Sequence, residues 1–133
     1  MARPFFDTNT LLYLVGSDPA KADRAEALLA GGGVISVQVL NEFASVASRK
    51  QRMPWPEIEE VLRSFRALCR VEPLTVESHD KALQLARDHA FSFYDAMIVA
   101  SALGAQCDTL YSEDLQHGRR IDRTLAIRNP FRS

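Results

Sequence analysis

Short, mostly apolar runs punctuate this chain at Phe5-Phe6, Val34-Ile35-Ser36, Val71–Leu74 and Thr109–Ser112, with Thr124–Ile127 as a weaker fifth. Each is too brief for a helix and reads as a buried strand. Between them, apolar positions return at helical spacing. Thr8–Val15 predicts a helix ending near Gly16, and Asp18-Pro19 supplies an N-cap and a first-turn proline for the next. That second helix turns Ala22, Ala25, Leu28 and Leu29 inward and stops in Gly31-Gly-Gly33. Val39, Leu40, Phe43, Val46 and Ala47 repeat with the period of an amphipathic helix. Pro54-Trp-Pro56 ends it and opens another, whose inner face is Ile58, Val61, Leu62, Phe65 and Leu68. Thr75–His89 is helical with Ala82, Leu85 and Ala86 inward. Ser92–Leu103 is so uniformly apolar or small that it predicts a helix buried on most sides.

Strands that alternate with helices need crossover connections, so the pattern predicts a parallel sheet with helices on both faces. The expected fold is α/β: a three-layer α/β/α sandwich around a central, mainly parallel sheet of four to five strands. At 133 residues, one domain spanning residues 1–133 is expected. In such a fold the carboxyl ends of all the parallel strands lie along one edge, where open α/β sheets place working residues. Asp7, at the end of the first apolar run, and the loop after Ser112 therefore converge.

Composition changes this picture little. With 47% hydrophobic and 25% charged residues, the chain resembles an ordinary globular protein, and its net charge of −1 excludes a global attraction for polyanions. Basic residues do cluster locally, as Arg49, Lys50 and Arg52, and as Arg119, Arg120, Arg123, Arg128 and Arg132. Either cluster could hold phosphates or simply be solvated surface. Cys69 and Cys107 lie in apolar surroundings and read as buried free thiols, without the spacing of a zinc site. No apolar signal region opens the chain and no apolar run approaches a membrane span, so a cytoplasmic protein is expected.

Four acids carry the candidate chemistry. Asp7 follows a strand, yet Asp is also a favoured helix N-cap. Glu42 projects beside Val39, Phe43 and Val46, on the flank of an apolar stripe. Asp95 closes a Ser92-x-x-Asp95 capping pattern, and the same projection places it among Ile98, Val99 and Ala102. Asp114 lies just past a strand, where a turn former would serve equally; Glu113 beside it is expected to point to solvent. Taken together, crowded carboxylates repel by about 4 kcal/mol per pair at 4 Å and an effective dielectric of 20, and so call for a cation. Oxygen ligands without His or Cys select Mg²⁺ or Mn²⁺. Such an ion can polarise a phosphodiester and activate a water, which suggests hydrolysis of a nucleic-acid backbone.

Phe6-Asp-Thr-Asn9, Asn41-Glu-Phe43, Tyr94-Asp-Ala96 and Ser112-Glu-Asp114, closed by Asn129-Pro-Phe131, resemble in their order the PIN-domain ribonucleases, in particular the VapC-type toxins of bacterial toxin–antitoxin pairs. The resemblance spans essentially the whole chain. It implies a Mg²⁺- or Mn²⁺-dependent endoribonuclease that hydrolyses RNA with a metal-activated water. Asp7 and Asp95 would be the principal metal ligands. Glu42 and Asp114 would complete the site, directly or through water, and orient the attacking water. Asn9 and Ser112 would support the acids through hydrogen bonds. The implied partners are an RNA substrate (tRNA or rRNA), a cognate antitoxin whose tail covers the acidic pocket, and a second copy of the chain in a homodimer. The opening Arg-Pro-Phe-Phe departs from the family's usual aliphatic strand.

Three other readings are weighed against this one. A haloacid-dehalogenase-like phosphatase would need a second acid where this chain has Asn9. A phosphoacceptor receiver domain would need a late lysine, and none follows Lys81. A PIN-like domain that only binds RNA or a partner would not need the full acid set. His79, His89 and His117 have no metal-ligand spacing and read as surface or capping residues, and Trp55 reads as the anchor of a helix start.

Overall fold

The structure, a computed structural model, describes residues 3–132. Its elements, in chain order, are β1 (Phe5–Phe6), α1 (Thr8–Leu12) continued by a 3₁₀ turn at Tyr13–Val15, α2 (Pro19–Ala30), β2 (Gly33–Ser36), α3 (Val37–Arg49), α4 (Trp55–Leu68), β3 (Cys69–Glu72), α5 (Val76–His89), α6 (Phe93–Gly104), β4 (Thr109–Tyr111), β5 (Arg120–Ile121) and β6 (Leu125–Arg128). The sheet order is β3-β2-β1-β4-β6-β5, parallel throughout except for β5 against β6. Helices flank this sheet, as the alternation predicts.

The helix boundaries follow their capping chemistry. The side chains of Asp18, Ser36, Thr75 and Ser92 each accept a backbone N–H of the helix that follows. Such caps satisfy donors that the first helical turn leaves without partners. Helix α6 is buried from Ala96 to Ala102, as its composition demands. Phe43 of α3 and Phe65 of α4 meet edge to face at 4.9 Å between ring centroids, an arrangement aromatic pairs favour. Cys69 and Cys107 are both free and buried, and burial pushes each thiol up to about 11.

Two strands differ from the pattern-based expectation. The third starts at Cys69, two residues earlier, because Cys69 and Arg70 already pair with Gly33 and Val34. The sheet also has six strands, the extra one being β5. Asp122 and Arg123, both at positive φ, turn β5 back onto β6, and the N–H of Thr124 closes the turn on the carbonyl of Ile121 at 3.2 Å. Turns of this hand usually contain Asn-Gly or Asp-Gly, so an Asp-Arg pair carries no hairpin signal.

Strands β1 and β2 lie unusually close. A Cβ on Gly33 would sit 2.5 Å from Cε2 of Phe6 and 2.7 Å from the carbonyl oxygen of Pro4. The missing side chain lets the N–H of Val34 reach Pro4 O at 2.8 Å and admits the fully buried Phe6 ring. This packing sets the position of Asp7, the next residue.

Candidate active site

The chain begins in the middle of its own sheet. From β1 it winds outward through β2 to β3, then crosses back to lay β4 on the other side of β1. In open α/β sheets, ligands bind beyond the strand carboxyl ends at such a reversal of the winding. Asp7 and Ser112 stand there, one residue past β1 and β4 respectively. Parallel register brings Phe6 beside Tyr111, and the N–H of Asp7 donates to Tyr111 O at 2.9 Å.

The Asp7 carboxylate is 6% exposed and held from three sides. Its Oδ1 accepts the N–H of Thr8 at 2.7 Å, and its Oδ2 accepts the Ser112 hydroxyl at 2.9 Å and the Asn9 amide at 3.3 Å. Asn9 also ties the two loops together: its Oδ1 accepts the N–H of Glu113 at 2.9 Å. Asp7 is thus the N-cap of α1 and a candidate site acid at once. From α3, the half-buried Glu42 accepts the Thr8 hydroxyl on Oε1 at 2.9 Å. Asp95 sits in the first turn of α6, its N–H donating to Ser92 Oγ at 3.3 Å.

These acids push against one another. Burial raises the Asp7 carboxyl to about 7; the Ser112 and Thr8 hydrogen bonds oppose that rise, and the charges of Glu42 and Asp95 add to it. The Glu42 carboxyl is raised as well, first by burial, against the Thr8 hydroxyl and with the help of Asp95. Among the described residues the ion pairs are Lys21–Glu113, Arg70–Glu72, Lys81–Asp122 and Arg87–Asp88, so none neutralises this trio. Buried like charges without a counterion favour a cation or a proton.

The donor set fits a hard, hydrated cation. Among the described residues no group of three or more His, Cys, Asp or Glu forms a ready-made metal cage. Mg²⁺ does not require one: it keeps several waters and binds through one or two carboxylates and substrate phosphates.

Not every residue singled out in the sequence joins the cluster. The structure brings together Asp7, Glu42, Asp95, Asn9 and Ser112. It leaves Asp114 exposed on the loop after β4. Glu113 does not point into solvent: it pairs with Lys21 at 2.7 Å and accepts the Tyr13 hydroxyl, and these bonds hold its carboxyl low despite partial burial. Lys21 also lies over the rings of Tyr13 and Phe131, pinning the C-terminal Asn129-Pro-Phe131 segment to the same loop. Sequence reasoning missed Thr8 and the Tyr13–Lys21 clamp; the only signal for Thr8 was a hydroxyl next to Asp7.

Of the basic C-terminal segment, Arg119 has an internal role. It donates to the carbonyl of His89 at 2.8 Å and covers the Phe91 ring at 4.4 Å. His117 accepts the N–H of Asn129 on Nδ1. Trp55, at the first turn of α4, is 61% exposed. Asp7, Glu42, Asp95 and Asp114 do not line the cavity of about 590 Å³ between Thr75, Lys81, Ser101 and Asp122; Glu42 lines a groove of about 280 Å³.

Comparison with known proteins agrees with this fold. The PIN domain family model matches residues 5–123. No curated protein matches the chain in sequence. Among solved structures, the chain is similar to Mycobacterium tuberculosis VapC20, a sarcin–ricin-loop-cleaving toxin (TM-score 0.68, 23% identity, 84% of this chain and 89% of that one). It is also similar to a toxin–antitoxin complex from Klebsiella pneumoniae (0.71, 19%, 96% and 98%) and to DNA-bound VapBC from Salmonella typhimurium (0.70, 21%, 98% and 99%). At these identities the structural likeness establishes the fold.

Proposed function

This chain belongs to the PIN domain family, and on that premise we propose that it is a divalent-metal-dependent endoribonuclease, the toxin of a type II toxin–antitoxin pair. The observation that carries the proposal is the buried Asp7 carboxylate at the reversal of the sheet, bonded to Thr8, Asn9 and Ser112 with no basic partner among the described residues, while the charges of Glu42 and Asp95 act on it. Asp7 and Asp95 would hold Mg²⁺ or Mn²⁺, with Glu42 and Asp114 completing the site directly or through water. The bound ion would supply Lewis acidity toward a phosphodiester oxygen and a water of lowered pKa.

The chain's own residues supply the rest. Ser112 and Asn9 aim Asp7 by donating to its Oδ2. Thr8 fixes Glu42, whose remaining oxygen is left to orient the attacking water. Asp114 is exposed between Glu113 and Leu115, whose N–H groups are bonded to Asn9 and Ser112, and would reach the ion or its waters from that loop. The product ends are the strands of a cleaved RNA, with tRNA or rRNA as candidate substrates.

The toxin assignment draws on the kinship of fold with VapC20 and the VapBC complexes. It carries with it a cognate antitoxin covering the acidic pocket, a homodimer and a cytoplasmic location. No helix among the described residues is long and apolar enough to cross a membrane.

Asp7→Ala and Asp95→Ala should each abolish Mg²⁺-dependent RNA cleavage while leaving the circular dichroism of the folded chain unchanged. Full activity in both variants would sink the proposal. Co-purification with the product of an adjacent small reading frame tests the toxin assignment separately.

A further inference from the structure

Beside Asp7 runs a groove of which the proposed chemistry uses only Glu42. It encloses about 280 Å³ between α3 and the start of α6, and is lined by Gln38, Asn41, Glu42, Ser45 and Tyr94. Tyr94 is the residue before Asp95, yet its side chain is 67% exposed. An aromatic ring this exposed forgoes most of its burial energy, so packing does not explain it. Its backbone is nonetheless fixed: Tyr94 lies in the capped first turn of α6, its ring meets Phe93 edge to face at 5.9 Å, and its carbonyl accepts the Gln38 amide at 3.5 Å.

The remaining lining is polar. The exposed Asn41 and Ser45 carry donors and acceptors of the kind that read the edge of a base, while the buried Gln38 is engaged with the Tyr94 carbonyl. Asn41, Ser45 and Arg49 are exposed and lie four residues apart, on one face of α3. The stripe thus leads from the groove to the cationic cluster Arg49, Lys50 and Arg52, about 6 Å beyond Ser45 at 1.5 Å per residue.

The geometry points to a nucleobase subsite. The base of a single-stranded RNA nucleotide flanking the scissile phosphate stacks on the Tyr94 ring, Asn41 and Ser45 contact its edge, and the backbone continues along α3 toward Arg49. This inference rests on the ribonuclease reading above. Tyr94 is on this account a positioning residue, acting on the substrate's place rather than on the reacting bond. An RNA occupant is favoured over a protein one because an exposed ring, the polar side chains of Asn41 and Ser45 and the cation Arg49 follow one another along one face. Single-stranded bases are recognised by that combination.

The test uses the full chain, a short single-stranded RNA that the wild type cleaves, and the same RNA carrying 2-aminopurine beside the cleavage site. Tyr94→Ala should raise KM about 5- to 100-fold, the range expected for one lost base–aromatic stack, with kcat changed far less. Tyr94→Phe should stay within about twofold of wild type. Quenching of 2-aminopurine fluorescence should survive in Tyr94→Phe and vanish in Tyr94→Ala, a signature that a merely structural role would not give. Because the side chain is exposed, the Ala variant should melt as the wild type does.

Wild-type cleavage with an unchanged KM and undiminished quenching in Tyr94→Ala would overturn the subsite and leave the ribonuclease reading standing. The same would hold if Tyr94→Ala lost only its binding to a partner protein, since the face would then belong to that partner. A wild-type chain that cleaves no RNA in Mg²⁺ or Mn²⁺ would overturn both.

Discussion

Asp7→Asn should make the metal-free protein more stable at neutral and alkaline pH. The substitution keeps the side chain's shape and removes its charge. In the folded chain burial raises the Asp7 carboxyl from 3.8 to about 7. As pH climbs from about 4 to 7 the unfolded chain therefore gives up this proton first, and the folded state loses stability at up to about 1.4 kcal/mol per pH unit. The stabilising protonated form is fully present below about pH 4 and gone above about pH 7. Integrated over roughly three units, the ionised Asp7 costs the fold at most about 4 kcal/mol. The amide cannot reproduce every contact, because one of its two polar atoms is a donor and Oδ2 now accepts from both Ser112 and Asn9. One mismatched hydrogen bond recovers about 1–2 kcal/mol of that gain, leaving about 2–3 kcal/mol.

The assay is thermal or urea unfolding of both proteins in EDTA from pH 4 to 8. The variant should melt at or slightly below the wild type at pH 4 and about 8–12 °C above it at pH 8, at roughly 4 °C per kcal/mol for a chain of this length. Glu42, whose carboxyl is also raised, titrates in both proteins, so the difference between them reports Asp7 together with its coupling to Glu42. Mg²⁺ at a hundred times its dissociation constant should return about 2.7 kcal/mol to the wild type and little to the variant. Two unfolding profiles that run parallel from pH 4 to 8 would refute the reasoning, because Asp7 would then ionise as it does in water.

Two further substitutions test the scaffold around that carboxylate. Ser112→Ala removes a hydroxyl that favours ionised Asp7. It should move the midpoint of the pH-dependent stability loss to higher pH and cost about 1–3 kcal/mol at pH 8; an unmoved midpoint in the same titration would show that the hydroxyl does not face the charge. Gly33→Ala should destabilise by about 1–3 kcal/mol or more, because the new methyl meets the Phe6 ring and the Pro4 carbonyl inside a hydrogen-bonded strand pair. A urea midpoint equal to that of the wild type would mean that β1 and β2 can separate at no cost.

What was legible in the sequence was what local chemistry dictates. Asp18-Pro19 announces α2, the inward Ala82, Leu85 and Ala86 announce α5, the Ser92 cap announces α6, and the apolar stripe of α3 places Glu42 on its flank. The β5–β6 hairpin was not legible, since it turns on Asp122 and Arg123 held at positive φ by pairing across the sheet. The start of β3 was hidden because Cys69 and Arg70 extend the helical pattern of α4 until β2 captures them. Within the site the acids could be named, but their partners could not. Thr8 finds Glu42 across 34 residues, and Glu113 finds Lys21 across 92. Such pairs have no spacing to read, because they exist only once the two loops have met. The misjudged direction of Glu113 follows from this: beside Asp114 it reads as solvent-facing, whereas Lys21 and Tyr13 draw it back against the 3₁₀ turn.

The arrangement also accounts for why Asp7, of the four acids, bears the greatest burial. It follows the central strand of the sheet directly, so its backbone is locked by β4 on one side and the Gly33 contact on the other. An acid in that position has little room to move toward water and must be matched from within, by Ser112, Asn9 and Thr8. Glu42 and Asp95 come from helices α3 and α6 and keep partial solvent access, while Asp114 lies fully at the surface. Burial therefore declines from the sheet outward, and with it the electrostatic cost of holding each charge. On the proposed ribonuclease reading, a buried, costly charge at the base with more exposed acids above it would suit a site that accepts a cation and a phosphate together. The base sets the geometry, and the outer acids can adjust to a ligand whose charge offsets theirs.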